Sequence, residues 1–442
     1  MTDPRPATTV IVGAGLFGLT TAVHLARAGR RVTVLESGTA AGATTAAGAG
    51  FVGLWAAGYA WYWDESELAL EQAGLDFYRG LDAAGYDIGL RNTGNVWLAL
   101  TEQAVLDHLL PFAEHPLRPE DARLLTAVET AELVPGLDPE AIVGAFIHPG
   151  GIQISAPDAG LALAALARAE GVEIVEHTPV VDFLADGGRA VGVLTAAGER
   201  VLGDEVVLAA GSWTNDLLAA TDRVLPFARV IASRLTTAPF GLGEVPTLMI
   251  PELDGLWIRE HLGGLTYGNG VGYETLAVHD SPADRRPDRP DLVEAMREHL
   301  SPIVSELIPA AAPVVDDAEA VQGIVSYTAD RRFIAGPVPE LDGLYVVAGD
   351  NESGVTHGPG LGRMLAELMV TGESPFVDAS RYAPGRFPSR PFADEAAVAA
   401  AMPARRAVDA RAAAATRVTT ESGLPAESGL PAESGLPAES GR

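Results

Sequence analysis

The sequence predicts an α/β fold that opens on a parallel sheet and carries an antiparallel sheet in its middle. Three observations predict it. The chain begins with strand, glycine turn, helix, strand and acid between Thr8 and Glu36. Apolar strand-like runs ending in glycine recur at 205–211 and 343–349. Residues 224–280 alternate more and hold Gly263-Gly-Leu-Thr-Tyr-Gly268, which suits antiparallel strands.

Element by element, Thr8-Thr-Val-Ile-Val12 reads as a buried strand and Leu19 to Ala28 as a helix stopped by Gly29. Arg31-Val-Thr-Val-Leu35 completes a βαβ unit. A helix is expected over 68–84, a strand over 94–100, and mostly helix over 101–145, where Pro111, Pro116, Pro119 and Pro135 punctuate an acidic stretch. Residues 159–170 read as an Ala/Leu helix and 171–175 as a strand. The α/β pattern continues through 192–198 and 205–211, and a helix is expected over 360–370. From Glu421 the sequence repeats Glu-Ser-Gly-Leu-Pro-Ala, a six-residue unit that buries no core and predicts a flexible tail.

Composition closes several routes. Of 442 residues, 59 are Asp or Glu and 30 are basic, a formal charge of −29 that disfavours nucleic acid and anionic lipid as partners. Every basic residue is Arg, so Schiff-base, pyridoxal and P-loop lysines are excluded. With no Cys, thiolate, disulfide and iron–sulfur chemistry are excluded too. Residues 1–6 lack a secretory pattern and no apolar run is long enough to span a bilayer, so a soluble cytoplasmic protein is expected.

Gly13, Gly15 and Gly18 follow the first strand and open the helix, the context that a dinucleotide fingerprint requires. The first glycine makes the turn, the second admits a pyrophosphate, and the third brings helix against sheet. Glu36 ends the second strand, where its carboxylate suits ribose hydroxyls and disfavours NADP. The late strand Tyr345-Val-Val-Ala-Gly-Asp350, followed by Gly354-Val-Thr-His-Gly-Pro-Gly360, favours FAD over NAD, because a helix N-terminus there suits the flavin's N1 and C2 oxygen.

From about Thr9 to Phe387 the chain resembles the D-amino-acid oxidase superfamily of FAD-dependent oxidoreductases. The resemblance rests on the glycine fingerprint, Gly42-Ala-Thr-Thr-Ala-Ala-Gly48, and Phe77-Tyr-Arg to Gly94-Asn-Val-Trp-Leu-Ala. Val206-Val-Leu-Ala-Ala-Gly-Ser-Trp213, Tyr327-Thr-Ala-Asp330 with Gly336-Pro337, and 349–360 add to it. It looks most like the sarcosine oxidase, dimethylglycine dehydrogenase and glycine oxidase branch. The resemblance implies a Rossmann-type, glutathione-reductase-like FAD domain over 7–90, 150–218 and 323–387. Interleaved with it would be an antiparallel-sheet substrate domain over 91–149 and 219–322, with 388–442 as an Ala-rich segment and disordered tail. FAD contacts would come from Gly13, Gly15, Leu16, Phe17, Gly18, Glu36, Ser37, Thr44, Thr45 and Gly48. Val180, Ala210, Gly211, Trp213, Gly349, Asp350, Gly354, Val355 and Thr356 would supply the rest. The implied reaction is hydride transfer from the carbon beside an amine to flavin N5, giving an imine.

The departures narrow this. Relatives with covalent flavin use Cys, or His where Thr45 stands, so FAD should be non-covalent. Monomeric sarcosine oxidases place Lys where Thr266 stands, which leaves open whether electrons pass to O2 or to an acceptor partner. Glycine and D-amino-acid oxidases carry a carboxylate-binding Arg where Val325 stands. The candidate catalytic residues are Arg259, Tyr267 and His357. Arg259 either replaces the missing clamp or pairs with Glu260 or a neighbour. Tyr267 either lines the pocket or packs. His357 either acts on the amine proton or bonds backbone. Trp55, Tyr59, Trp61, Tyr62 and Trp63 form either an aromatic wall for an amine or apolar substrate, or an interface core. The expected function is oxidation of an amine or amino acid. The alternatives are an FAD dehydrogenase with a protein or quinone acceptor, and a non-catalytic flavin-binding subunit.

Overall fold

A computed structural model describes residues 7–53, 64–219, 221, 223–276 and 287–402. The aromatic cluster at 55–63 and the repeat tail lie outside them.

A six-stranded sheet runs in the order Ile334–Pro337, Leu344–Ala348, Glu205–Leu208, Thr8–Val12, Arg31–Leu35 and Glu173–Val175. Its strands are parallel except the antiparallel edge Ile334–Pro337. Strand alternation divides its side chains between two layers. Ile11, Val34, Val207 and Val347 pack beneath the helices Leu16–Arg27, Ala156–Ala169 and Gly354–Thr371. Val10, Val12, Val206, Leu208 and Val346 face a three-stranded antiparallel sheet, Val180–Asp186, Arg189–Thr195 and Arg200–Leu202. The 192–198 run, read as part of the α/β pattern, therefore belongs to this separate layer.

The second large sheet holds Glu274–Thr275, Phe227–Thr236, Gly264–Gly268, Leu256–His261, Thr247–Ile250, Asn95–Ala99, Gly144–His148 and Arg123–Thr126. Glu319–Thr328 pairs antiparallel with Phe227–Thr236 along its whole length. The expected domain boundary at 323 thus falls inside a strand. One sheet face, with Val96, Leu98, Leu235, Leu248, Ile258, Leu265 and Tyr267, packs on Met296, Leu300 and Val304 of the helix Pro290–Leu307. Alternation turns Trp97, Arg234, Arg259 and Thr266 to the other face.

Two elements begin earlier than expected because side chains cap them. Asp64 accepts from the Ser66 and Glu67 amides to start Glu65–Ala83, and Ser155 accepts from the Asp158 amide to start Ala156–Ala169. Residues 101–145 are not mostly helical. Helical pieces from Glu102–Ala104 to Ala127–Leu133 alternate with the strands Arg123–Thr126 and Gly144–His148. The latter strand is buried on both faces, so it shows no period-two signal.

Candidate cofactor and substrate site

The glycine turn sits at the carboxyl edge of the parallel sheet. Gly13 has φ +107°, donates to Leu35 O at 2.8 Å, and a Cβ on it would lie 2.4 Å from Ala209 O. A Cβ on Gly18 would lie 2.0 Å from Gly13 O, so helix and turn touch backbone to backbone. Gly15 differs: a Cβ there meets only Thr45 Oγ1, at 3.6 Å. The turn is therefore open at its middle glycine, in front of the helix N-terminus, as a pyrophosphate requires. Leu16 N donates to Thr45 Oγ1 at 3.1 Å, while Phe17 continues the buried first turn.

Glu36 joins the two strand ends. Its Oε2 accepts from Ala14 N at 2.8 Å, and its Oε1 accepts from Gly38 N at 2.8 Å and Ser37 Oγ at 3.0 Å. Thr178 N donates to Glu36 O, which brings the start of the strand at Val180 toward the same edge. On the opposite side, Ala210 precedes the 3-10 turn Gly211–Trp213, where Gly211 has φ +56°. Trp213 packs there on Ile231 and Ile324.

The short helix Thr44–Ala47 links this edge to the antiparallel sheet. Thr45 holds the Leu16 amide, Thr44 Oγ1 donates to Ile324 O at 2.6 Å, and Arg234 Nε donates to Ala47 O at 3.1 Å. A Cβ on Gly48 would meet Val355 Cγ2 at 3.0 Å, so the same segment lies against the start of Gly354–Thr371. That start is fixed by Asp350, which accepts from Ser326 N, Ser326 Oγ and Glu352 N. Burial raises the Asp350 carboxyl above its usual range. Gly349 has φ +73°, and a Cβ on it would lie 2.4 Å from Thr328 Cγ2. Thr356 Oγ1 is buried and has no hydrogen-bond partner among the described residues.

The residue pattern fits FAD: an open turn glycine at a helix N-terminus, an acid at the second strand's end, and a second helix start beside the same segment. A family model for FAD-dependent oxidoreductases matches residues 8–368. The chain belongs to this family. It is 32% identical over 395 residues to 4-methylaminobutanoate oxidase (formaldehyde-forming) of Paenarthrobacter nicotinovorans, covering 86% of this chain but 46% of that protein. It is 31% identical to glycine oxidase of Pseudomonas aeruginosa, covering 85% of this chain and 98% of that one. The crystal structure of glycine oxidase from Geobacillus kaustophilus superposes with a TM-score of 0.72 at 27% identity, covering 86% of this chain and all of that one.

Within this family member, the three candidate catalytic residues lie apart. Tyr267 is buried on the core face, its hydroxyl donating to Val315 O at 3.3 Å. It packs, because Thr266 and Tyr267 alternate and only Thr266 takes the other face. His357 is fully buried between helices: its Nδ1 lies 3.2 Å from Ser353 O, and its Nε2 lies 3.5 Å from Glu71 Oε1 and 3.8 Å from Glu67 Oε2. Burial pushes His357 down to about 4, and burial together with Glu67 drives the Glu71 carboxyl well above the carboxylate range. Arg259 is buried on the site face, where Nη1 donates to Gly50 O at 3.2 Å and Ile154 O at 3.0 Å. Glu260 points away from it and pairs with Arg91. Arg259 thus braces two loop carbonyls.

Sequence reasoning passed over Arg234. Thr236 and Arg259 both pair with Thr266, which gathers Arg234, Thr266 and Arg259 on one face. Arg234 Nη1 donates to Thr266 Oγ1 at 2.9 Å and Thr236 Oγ1 at 3.0 Å. Burial lowers Arg234 to about 10, and burial with the charges of Arg234 and Arg91 lowers Arg259 to about 9. The same burial and cations hold His261 down at about 4.

Proposed function

We propose that this chain oxidises the C–N bond of an amine or amino acid to an imine, which water then hydrolyses. One observation carries the reading: Thr44–Ala47 is hydrogen-bonded both to the dinucleotide turn and to the polar face of the antiparallel sheet. A segment shared in this way supports a site with cofactor and substrate on neighbouring surfaces. Bound FAD supplies the two-electron acceptor for the hydride leaving the carbon beside nitrogen.

The protein's own residues do the rest. Gly13, Gly15, Leu16 and Glu36 would hold the dinucleotide end, and the absence of Cys together with Thr at 45 supports a non-covalent flavin. The start of Gly354–Thr371 would offer backbone amides and positive helix-end potential to the flavin ring. Burial and the charges of Arg259, Arg234 and Arg91, which hold His261 down at about 4, would likewise favour a substrate amine on that face in its deprotonated form, the form that loses hydride. The acceptor that would take the electrons on is O2 or a partner.

Anaerobic spectra of the purified protein test this. A yellow protein bleached by an N-methyl, cyclic or D-amino acid, or by an amine, supports the reading. Re-oxidation on admitting air then assigns O2 as acceptor. A protein that takes up no FAD, or a flavoprotein bleached by no compound of these classes, refutes it.

A further inference from the structure

The helix Gly354–Thr371, whose start lies against Gly48, holds a proline, Pro359, inside it. Proline is harmless in the first turn of a helix, where amides have no helical acceptor, but Pro359 is the sixth residue. Its missing N–H is the one that would bond Val355 O, so that first-turn carbonyl loses its helical donor. A carbonyl left bare inside a protein is costly, and it lets the turn shift.

Tyr78 supplies a donor from another helix. It lies on Glu65–Ala83, and its Oη donates to Val355 O at 2.8 Å. The ring is buried, packed with Val52, Leu75, Ile154 and Val355, so the hydroxyl is held in one direction. Burial also raises the phenol above its ordinary pKa, which keeps it a donor. Two close approaches set the helices in this register. A Cβ on Gly74 would lie 1.9 Å from Thr356 O, and a Cβ on Gly360 would lie 2.7 Å from Leu70 O. Leu70, Gly74 and Tyr78 follow one another at four-residue spacing, a single stripe of the earlier helix.

The peptide that Tyr78 grips is also the one that matters at the helix start. The amides of Gly354, Val355 and Thr356 precede the first helical bond, which His357 N makes to Ser353 O at 3.0 Å. They are the donors that a helix start presents outward. Val355 C=O and Thr356 N–H belong to one planar trans peptide and point in opposite directions. Holding the oxygen therefore aims the N–H.

We propose that Tyr78 is a positioning residue for the cofactor: by donating to Val355 O in place of the amide that Pro359 lacks, it aims the Thr356 N–H at the flavin ring. This deepens the reading above and rests on it.

The test is a double-substitution cycle on the full chain, with Tyr78→Phe, Pro359→Ala and the two together. Tyr78→Phe removes one hydroxyl and leaves the ring's packing in place. It should weaken FAD binding roughly 3- to 10-fold, the range for one hydrogen bond. At saturating FAD it should also lower the flavin's reduction potential, because a helix-end amide that favours the electron-rich ring is no longer aimed. Pro359→Ala restores a backbone donor for Val355 O. On that background Tyr78→Phe should change FAD affinity by less than about 2-fold.

A Tyr78 that only joins two helices predicts something else: Tyr78→Phe lowers the melting temperature of the apoprotein, while FAD affinity and potential stay at wild-type values. That result overturns the proposal. An equal loss of FAD affinity with and without Pro359 overturns it too, since the phenol would not then be replacing the missing amide. A wild-type protein that takes up no FAD overturns the role together with the functional reading. Melting temperatures of the four apoproteins tell the two failures apart: a Tyr78→Phe loss that Pro359→Ala removes would show the bond sound and the reading at fault.

Discussion

Replacing Gly15 and Gly18 one at a time by alanine separates binding from folding at the same turn. At Gly18 a Cβ lands 2.0 Å from Gly13 O and 3.3 Å from Ala209 Cβ. An ordinary carbon–oxygen approach is about 3.3 Å, so the helix start must withdraw by roughly 1.3 Å. The nearest atom, Gly13 O, is backbone and so cannot swing away. The cost lies toward the upper end of the ~1–3 kcal/mol seen for overpacking, reduced by up to about 1 kcal/mol through alanine's better helix propensity. At Gly15 the backbone is extended, φ −77° and ψ −178°, and the added Cβ has only an ordinary 3.6 Å contact with Thr45 Oγ1. Alanine fits the apoprotein there and should leave it unchanged, or stabilise it by about 0.4–1 kcal/mol through the unfolded chain. The methyl group then occupies the space a pyrophosphate needs. FAD affinity should fall at least 10-fold, about 1.4 kcal/mol. Thermal melts of the two apoproteins and FAD titrations followed by flavin fluorescence read both quantities. Wild-type FAD affinity in Gly15→Ala would refute a pyrophosphate at this turn, and an undiminished melting temperature in Gly18→Ala would refute the close helix approach.

Three further outcomes follow from buried polar groups. Glu67 accepts from Tyr382 Oη at 3.0 Å, yet burial pushes its carboxyl from 4.5 up to about 7. A raised acid contributes stability that is whole below pH 4.5 and lost as pH climbs through 7, a decline of about 3 kcal/mol. Urea unfolding of Glu67→Gln at pH 5.5 and 8 should show that slope flattened, and an unchanged slope would contradict the burial. Tyr267→Phe should cost about 1 kcal/mol, the worth of one hydrogen bond to Val315 O, with turnover unchanged. A large loss of kcat at constant stability would return Tyr267 to the site. Arg259→Met leaves the Ile154 carbonyl without this donor and the Gly50 carbonyl with only the Ile154 amide, and should lower stability by about 1–3 kcal/mol in a denaturant titration. Stability equal to wild type would show that the brace is unused.

The dinucleotide turn was legible because everything that makes it is local. Gly13, Gly15, Gly18 and Glu36 fall within one βαβ unit, and their spacing follows from strand and helix geometry. His357 was visible but its surroundings were not, since Glu67 and Glu71 reach it from a helix nearly 300 residues earlier in the chain. Arg259 was visible too, but its partners are backbone carbonyls, which carry no side-chain signature. Neither the chemistry of the acid pocket nor that of the brace is written in spacing along the sequence.

Arg234 was hidden for a different reason, which is register. A strand slipped by one residue exchanges its faces, turning Leu235 toward the site and Arg234 into the core. What prevents this is the apolar half of each strand. Leu235, Leu248, Ile258, Leu265 and Tyr267 must all reach Met296, Leu300 and Val304 on Pro290–Leu307, and only one register lets them do so together. The core therefore dictates which polar residues share the opposite face. The two cations on that face are set by hydrophobic packing on the far side of the sheet. A mutation that loosens that packing, such as Leu300→Ala, should thus cost about 2–5 kcal/mol in a urea titration, and wild-type stability would show that this packing does not hold the register.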